Sequence, residues 1–140
     1  GWACVTNDIS LYPIILFLII FFWTPPHFWS LALFKDTEYS KVNIPMLPVK
    51  LGKKNTKLQI FIYSLILFFV SLLPFIFNLN SNFYFIICCI LNLFFVSGAF
   101  KLMKSDSHLS DNKASYLFKY SIFYLYAVFI SLVLDKNFIL

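Results

Sequence analysis

Residues 11–34 read LYPIILFLIIFFWTPPHFWSLALF, an apolar stretch without a single charged side chain. A bilayer core about 30 Å thick needs roughly 20 apolar residues in helical form, so this stretch is long enough to cross once. Three more stretches share its character, at 58–77, 83–100 and 117–134. None alternates apolar with polar residues, as a lipid-exposed barrel strand of about 9–11 residues would. The expected fold class is therefore all-α integral membrane, with four transmembrane helices joined by loops at 35–57 and 101–116.

Composition agrees with lipid as the solvent. The 140 residues are 61% hydrophobic and only 12% charged, with 19 Phe and 3 Gly, and the mean hydropathy is +0.83. A soluble domain carries about 25% charged residues, and a chain this short cannot hide so much apolar surface in a globule. The net charge of +5 does not mark a nucleic-acid binder, because the basic residues form no stripe on a soluble fold. All of them are Lys, and most fall in the two longer loops: Lys35, Lys41, Lys50, Lys53, Lys54 and Lys57 in one, Lys101, Lys104 and Lys113 in the other. Lysine-rich loops stay on the cytoplasmic side, so the chain is expected to enter from outside and to end outside. Gly1 to Ser10 lacks the basic region and cleavage site of a signal peptide, and a start without Met is what a piece of a longer protein would have. Cys4, Cys88 and Cys89 have neither disulfide nor metal spacing and read as apolar filler.

Inside the apolar stretches the polar residues are few. Gln59 with Tyr63, and Tyr116 with Tyr120 and Tyr124, recur on single helix faces. Asn92 and Ser97–Gly98 suit helix contacts, and Pro74 suits a kink or a helix end. The first stretch stands apart. Its Trp23-Thr24-Pro25-Pro26-His27-Phe28-Trp29 puts a double proline and a histidine deep in an apolar run. Proline there frees backbone carbonyls, which membrane helices tolerate around a cavity. His27 lies seven residues from Phe34, roughly 10 Å from the helix end. Two readings stand: a functional group, the default for an ionisable side chain at that depth, or a neutral imidazole bonded to a kink carbonyl.

Next come Lys35-Asp36-Thr37-Glu38-Tyr39-Ser40-Lys41 and Ile44-Pro45-Met46-Leu47-Pro48. Paired carboxylates such as Asp36 and Glu38 suit Mg²⁺, which keeps waters and binds substrate phosphates, and Lys35 and Lys41 can hold phosphate oxygens. Neutralising a departing diphosphate is the chemistry such a cluster would serve. Thr24, His27, Leu31, Phe34 and Glu38 share one helix face, so the histidine and one acid could line a common cavity. From the acidic spacing alone, a solvated loop of scattered charge is the favoured reading.

These strings carry a resemblance. Gly1-Trp2-Ala3 with Val5-Thr6, the Trp23–Trp29 string, Leu31-Ala32-Leu33, Ile44–Pro48, Thr56 with Gln59-Ile60, and Leu117-Phe118 with Ser121-Ile122 and Tyr124-Leu125 together resemble the haem-farnesylating family (protohaem IX farnesyltransferases, or haem O synthases) of the UbiA-type intramembrane prenyltransferases. The resemblance covers nearly the whole chain. It implies a bundle of nine transmembrane helices, of which this chain holds the last four, with the missing N-terminal half as its partner. It further implies Mg²⁺, farnesyl diphosphate and haem b as substrates, and attack on a haem vinyl group to give haem O, in a bacterial inner membrane or the mitochondrial inner membrane. On this pattern His27 and Glu38 are the catalytic candidates. Trp23, Trp29, Lys35, Tyr39 and Lys41 are the substrate-binding candidates, and Asp36 and Glu38 the metal ligands. The family's first acidic motif has no counterpart here. Asp36-Thr37-Glu38 replaces the usual Lys-Glu-Asp, and Asn43 stands where Gly is usual. The competing expectations are a prenyltransferase acting on a quinone precursor, a non-catalytic membrane subunit or small transporter, and an inactive gene remnant.

Overall fold

The computed structural model describes residues 4–5, 7, 9–35, 47–105 and 107–138. They form four helices: α1 (Leu11–Phe34), α2 (Leu47–Ile76), α3 (Asn82–Met103) and α4 (Ser107–Phe138). Each is long and apolar enough to cross a membrane. α1 packs between α2 and α4, and α3 packs between the same two on the far side, so the four close into a ring. Successive helices run antiparallel, which gathers Lys35, Lys50, Lys53, Lys54, Lys57, Lys101, Lys104 and Lys113 at one end of the bundle.

Two helices extend well past the apolar stretches, into segments expected as loops. In α4 the added turns keep a buried face of Ser110, Ala114 and Leu117, a spacing of four and three that hydropathy misses because Asp111, Asn112 and Lys113 sit between. In α2 the addition is a short helix hinged at Gly52, whose φ of 79° and ψ of 156° lie in a region open essentially to glycine alone. Thr56 Oγ1 donates to the Gly52 carbonyl at 3.0 Å and steadies the hinge.

The packing is arranged for lipid. Phe17, Phe69, Leu93, Phe123 and Val133 are more than half exposed, while Ser30, Ser64, Ser71, Ser121, Ser131 and Asn92 are buried. Small and hydroxyl side chains let helices approach in a membrane. Each of the serines donates to a carbonyl three or four residues back, such as Ser64 to Ile60 at 2.6 Å and Ser131 to Val128 at 2.7 Å, so it brings no unmet donor inside. Gly98 marks the closest approach of α3 to α4, where a Cβ would meet Leu117 Cδ1 at 3.2 Å.

At mid-bundle one network joins three helices. Asn92 Nδ2 on α3 donates to Ser71 Oγ on α2 at 2.8 Å, and Tyr124 on α4 donates to Asn92 Oδ1 at 2.9 Å. Tyr84 donates to the Ser71 carbonyl at 2.6 Å. The expectation that Asn92 and Tyr124 serve helix contacts therefore matches what these side chains do.

The bundle ends are tied as well. After Pro74, α2 stops in a paired-bond C-cap: Asn78 takes a positive φ of 53°. Asn78 N then donates to Phe75 O, and Leu79 N to Pro74 O. Asp135 of α4 accepts from Asn80 Nδ2 and Ser81 N, both at 2.8 Å, and from the Ser81 hydroxyl. At the lysine end Lys57 Nζ donates to the Ser105 carbonyl at 2.9 Å, a cation placed at the C-terminus of α3 as the helix dipole favours. Gly52→Ala meets no neighbour within 4 Å, so its cost is backbone strain of about 1–3 kcal/mol. Thermal unfolding in detergent should detect it, and an unchanged transition would mean that the hinge is not fixed there.

Candidate functional site

Pro25 and Pro26 both lie inside α1, where each removes an amide that would have bonded the preceding turn. The residues around them are held from outside the helix. Trp23 Nε1 donates to the Ser121 carbonyl of α4 at 2.8 Å. His27 Nδ1 lies 2.7 Å from Ser121 Oγ. Thr24 Oγ1 donates back to Ile20 O at 2.7 Å, and Ser30 Oγ to Pro26 O at 2.6 Å.

Ser121 Oγ also lies 2.6 Å from the Phe118 carbonyl. A hydroxyl proton given to that carbonyl leaves the serine oxygen to accept from His27, which assigns the N–H to Nδ1 and the lone pair to Nε2; a proton given to His27 would reverse the two roles. Nε2 has no hydrogen-bond partner among the described residues. The imidazole is clamped between two rings, stacked on Trp23 at 4.3 Å and on Phe118 at 4.7 Å, with Phe28 edge-on at 5.5 Å. A rigidly oriented nitrogen base, partly buried at mid-depth, can ligate a metal-bearing ring or take a proton. The reading in which His27 bonds a kink carbonyl is set aside, because its partner is a serine on another helix.

The other sequence candidates divide. Trp23 belongs to this site. Trp29 does not: two residues beyond His27 on a helix is 200° around, and the indole meets Tyr63 of α2 edge-on at 5.1 Å. Phe34 shares the His27 face and packs on Phe118 at 5.9 Å. Lys35 caps α1 by donating its backbone N–H to Leu31 O at 3.1 Å, and its ammonium lies 6.0 Å from the Phe34 ring. Asp36, Glu38, Tyr39 and Lys41 lie outside the described residues. Ser121 and Phe118, which sequence reasoning did not assign to the site, complete it. Their sequence signal was their place in the Leu117-Phe118 and Ser121-Ile122 strings that carry the resemblance, with no role attached. Between α1 and α4, on the side of His27 away from the lysines, Ile20, Leu125, Tyr126 and Phe129 line an apolar groove of about 210 Å³.

Among the described residues no group of three or more His, Cys, Asp or Glu could hold a metal ion. Asp135 is at the opposite end, with its oxygens already accepting from Asn80 and Ser81. The described residues alone thus do not make a magnesium site.

Four antiparallel apolar helices enclosing a proline-broken turn and an oriented histidine define an integral membrane protein with a polar site inside its bundle. The model of the UbiA prenyltransferase family matches residues 1–127. The chain belongs to that family, whose members generally use a divalent metal. It is 53% identical over 133 residues to a protoheme IX farnesyltransferase of Rickettsia prowazekii, covering 94% of this chain and 42% of the relative. It is 46% identical over 140 residues to protoheme IX farnesyltransferase 1 of Pseudomonas putida, covering 100% and 46%. To a protoheme IX farnesyltransferase of Bordetella avium it is 45% identical over 135 residues, covering 96% and 44%. The chain thus spans less than half the length of these curated relatives. No solved structure matches it.

Ser121→Ala deletes the acceptor for His27 and leaves the carbonyl that holds Trp23. It should cost about 0.5–1.5 kcal/mol and release the imidazole into both tautomers. ¹⁵N spectra of the labelled ring should show a single Nδ1–H form in the parent. A parent protonated on Nε2 would overturn the assignment.

Proposed function

We propose that this chain forms the C-terminal portion of a protohaem IX farnesyltransferase, which joins the farnesyl group of farnesyl diphosphate to a vinyl group of haem b to give haem O. The observation that carries the reading is the clamped His27, whose Nε2 has no partner among the described residues, set in a Trp-Thr-Pro-Pro-His-Phe-Trp string within a chain similar throughout to proteins of that name.

The reaction breaks the allylic C–O bond, and diphosphate leaves with the electron pair. A C–C bond forms at the vinyl group, and the positive charge left beside the porphyrin is quenched by water, which then loses a proton. His27 suits two tasks on the acceptor side: ligating the haem iron through Nε2, with Nδ1–H held by Ser121 as ligating histidines usually are, or receiving that proton. Trp23 and Phe118 supply flat apolar faces beside it for a macrocycle. The groove at Ile20, Leu125, Tyr126 and Phe129 suits an isoprenoid tail. Lys35, and with it Lys41 and Tyr39, is assigned to the diphosphate, and Trp29 to the wall facing α2. Asp36 and Glu38 are the carboxylates assigned to Mg²⁺, which would neutralise charge on the diphosphate when bound. On this reading the lysine end faces the cytoplasm or matrix, and the rest of the site comes from the part of the enzyme that the relatives have beyond this chain.

Vesicles holding this chain together with the complementary N-terminal part of a relative should form haem O from haem b, farnesyl diphosphate and Mg²⁺. Neither part should do so alone, and a chelator should abolish the product. His27→Ala should lower the rate by about a hundredfold, and an unchanged rate would remove His27 from the chemistry. Co-assembled, folded parts that prenylate a quinone precursor and not haem would replace the acceptor.

A further inference from the structure

A second cleft lies on the other side of the bundle, between α3 and α4 at the lysine end, with a volume of about 340 Å³. Lys101 and Lys113 flank it, and no acidic residue is among its described lining residues. Lys113 Nζ lies 3.4 Å from the Lys101 backbone carbonyl, which holds the Lys113 cation against α3. Asn112 and Tyr116 complete the rim, and neither the amide nor the phenol hydroxyl has a hydrogen-bond partner among the described residues. Among the described residues the mouth therefore holds two positive charges and two neutral groups able to donate, with no anion lining it.

Below the mouth the wall turns apolar. A groove of about 350 Å³ lined by Ile90, Leu93, Phe94 and Ser97 continues down α3, sharing Phe94 and Ser97 with the cleft. From Ser97 to Ile90 it descends roughly 10 Å along the helix. Leu93, Phe94 and Ile90 are half or more exposed, and Ser97 turns its hydroxyl back onto Phe94 O at 2.9 Å, so it presents no free donor to the track. A free phosphate would have no use for the track, and a zwitterionic lipid little use for two unpaired cations. A basic pocket between transmembrane helices, opening onto an apolar channel, fits an anionic phospholipid.

We propose that this cleft binds an anionic phospholipid of the leaflet at the lysine end, its phosphate between Lys101 and Lys113 and one acyl chain along the Ile90–Ser97 groove. The proposal rests on the membrane-spanning fold and not on the farnesyl-transfer reading.

The test is native mass spectrometry of the full chain, titrated in detergent with phosphatidylglycerol or with phosphatidylcholine. The chain should prefer phosphatidylglycerol. Each lysine should be worth about fivefold in affinity, so Lys101→Ala with Lys113→Ala should lose about 25-fold. Lys54→Ala, which removes an exposed charge elsewhere at the same end, should leave the preference intact. Ser97→Trp, which fills the track and keeps both cations, should weaken binding of both lipids. A double variant with undiminished preference, an equal loss in Lys54→Ala, or full displacement by inorganic phosphate would each overturn the proposal. Unchanged helical circular dichroism in the variants separates these outcomes from misfolding.

Discussion

In the hydrocarbon core there is no water to hydrogen-bond, so every polar group carried inward needs a partner within the protein. That constraint organises the bundle. Ser64 and Ser131 spend their hydroxyl protons on their own helices and thereby act as small packing residues. Asn92 cannot do so, because an amide has two donors and an acceptor to satisfy. It reaches Cys88 O on its own helix, Ser71 on α2, and the Tyr124 hydroxyl on α4. A side chain that needs several partners fixes the register of three helices at once, which generic apolar packing against lipid-like neighbours cannot do.

The same constraint bears on the two adjacent prolines of α1. Their missing amides leave carbonyls of α1 without the usual donors, yet α1 stays helical from Leu11 to Phe34, and side chains of that turn bond to α4. Ser121 meets them with both of its oxygens, the carbonyl for Trp23 and the hydroxyl for His27. A histidine held by a neutral hydroxyl rather than by a carboxylate keeps an uncharged ring in an apolar setting. The stacked faces of Trp23 and Phe118 then leave Nε2 without a polar partner among the described residues. Fold and site are thus joined: the α1–α4 contact at Ser121 also orients the histidine.

Much of this was legible in the sequence, for physical reasons that differ by element. The four spans are visible because length and hydropathy are set by the bilayer and not by neighbours. Helical rotation also tells that Trp29 cannot face the same way as His27, yet aromatic type had grouped the two tryptophans. The tertiary partner of His27 was hidden. Ser121 stood in a string that carried the resemblance, but only the approach of α4 to α1 shows that its hydroxyl meets His27. The lower turns of α2 and α4 were hidden too, because Lys50, Lys53, Asp111 and Lys113 dilute the apolar signal where a helix leaves the membrane. Asp36 and Glu38 remain a reading of spacing and resemblance.

Position along the bundle axis also separates the tasks within the proposed reaction. The carbon that an allylic diphosphate donates is bonded to the diphosphate itself, so it stays beside whatever cations hold that group. On the proposed reading those cations are at the lysine end, and His27 lies about 12 Å from Lys35 along the helix, at 1.5 Å per residue. That depth favours the acceptor over the leaving group as the partner of the histidine. His27 can hold the acceptor, whose iron is at the centre of the macrocycle and whose vinyl group is at the edge. With His27 holding the acceptor, the proposed reading would leave the lysine end to the diphosphate and the groove at Ile20 and Phe129 to the isoprenoid tail. The separation that sets His27 apart from the lysine end is the one that a large flat acceptor would bridge.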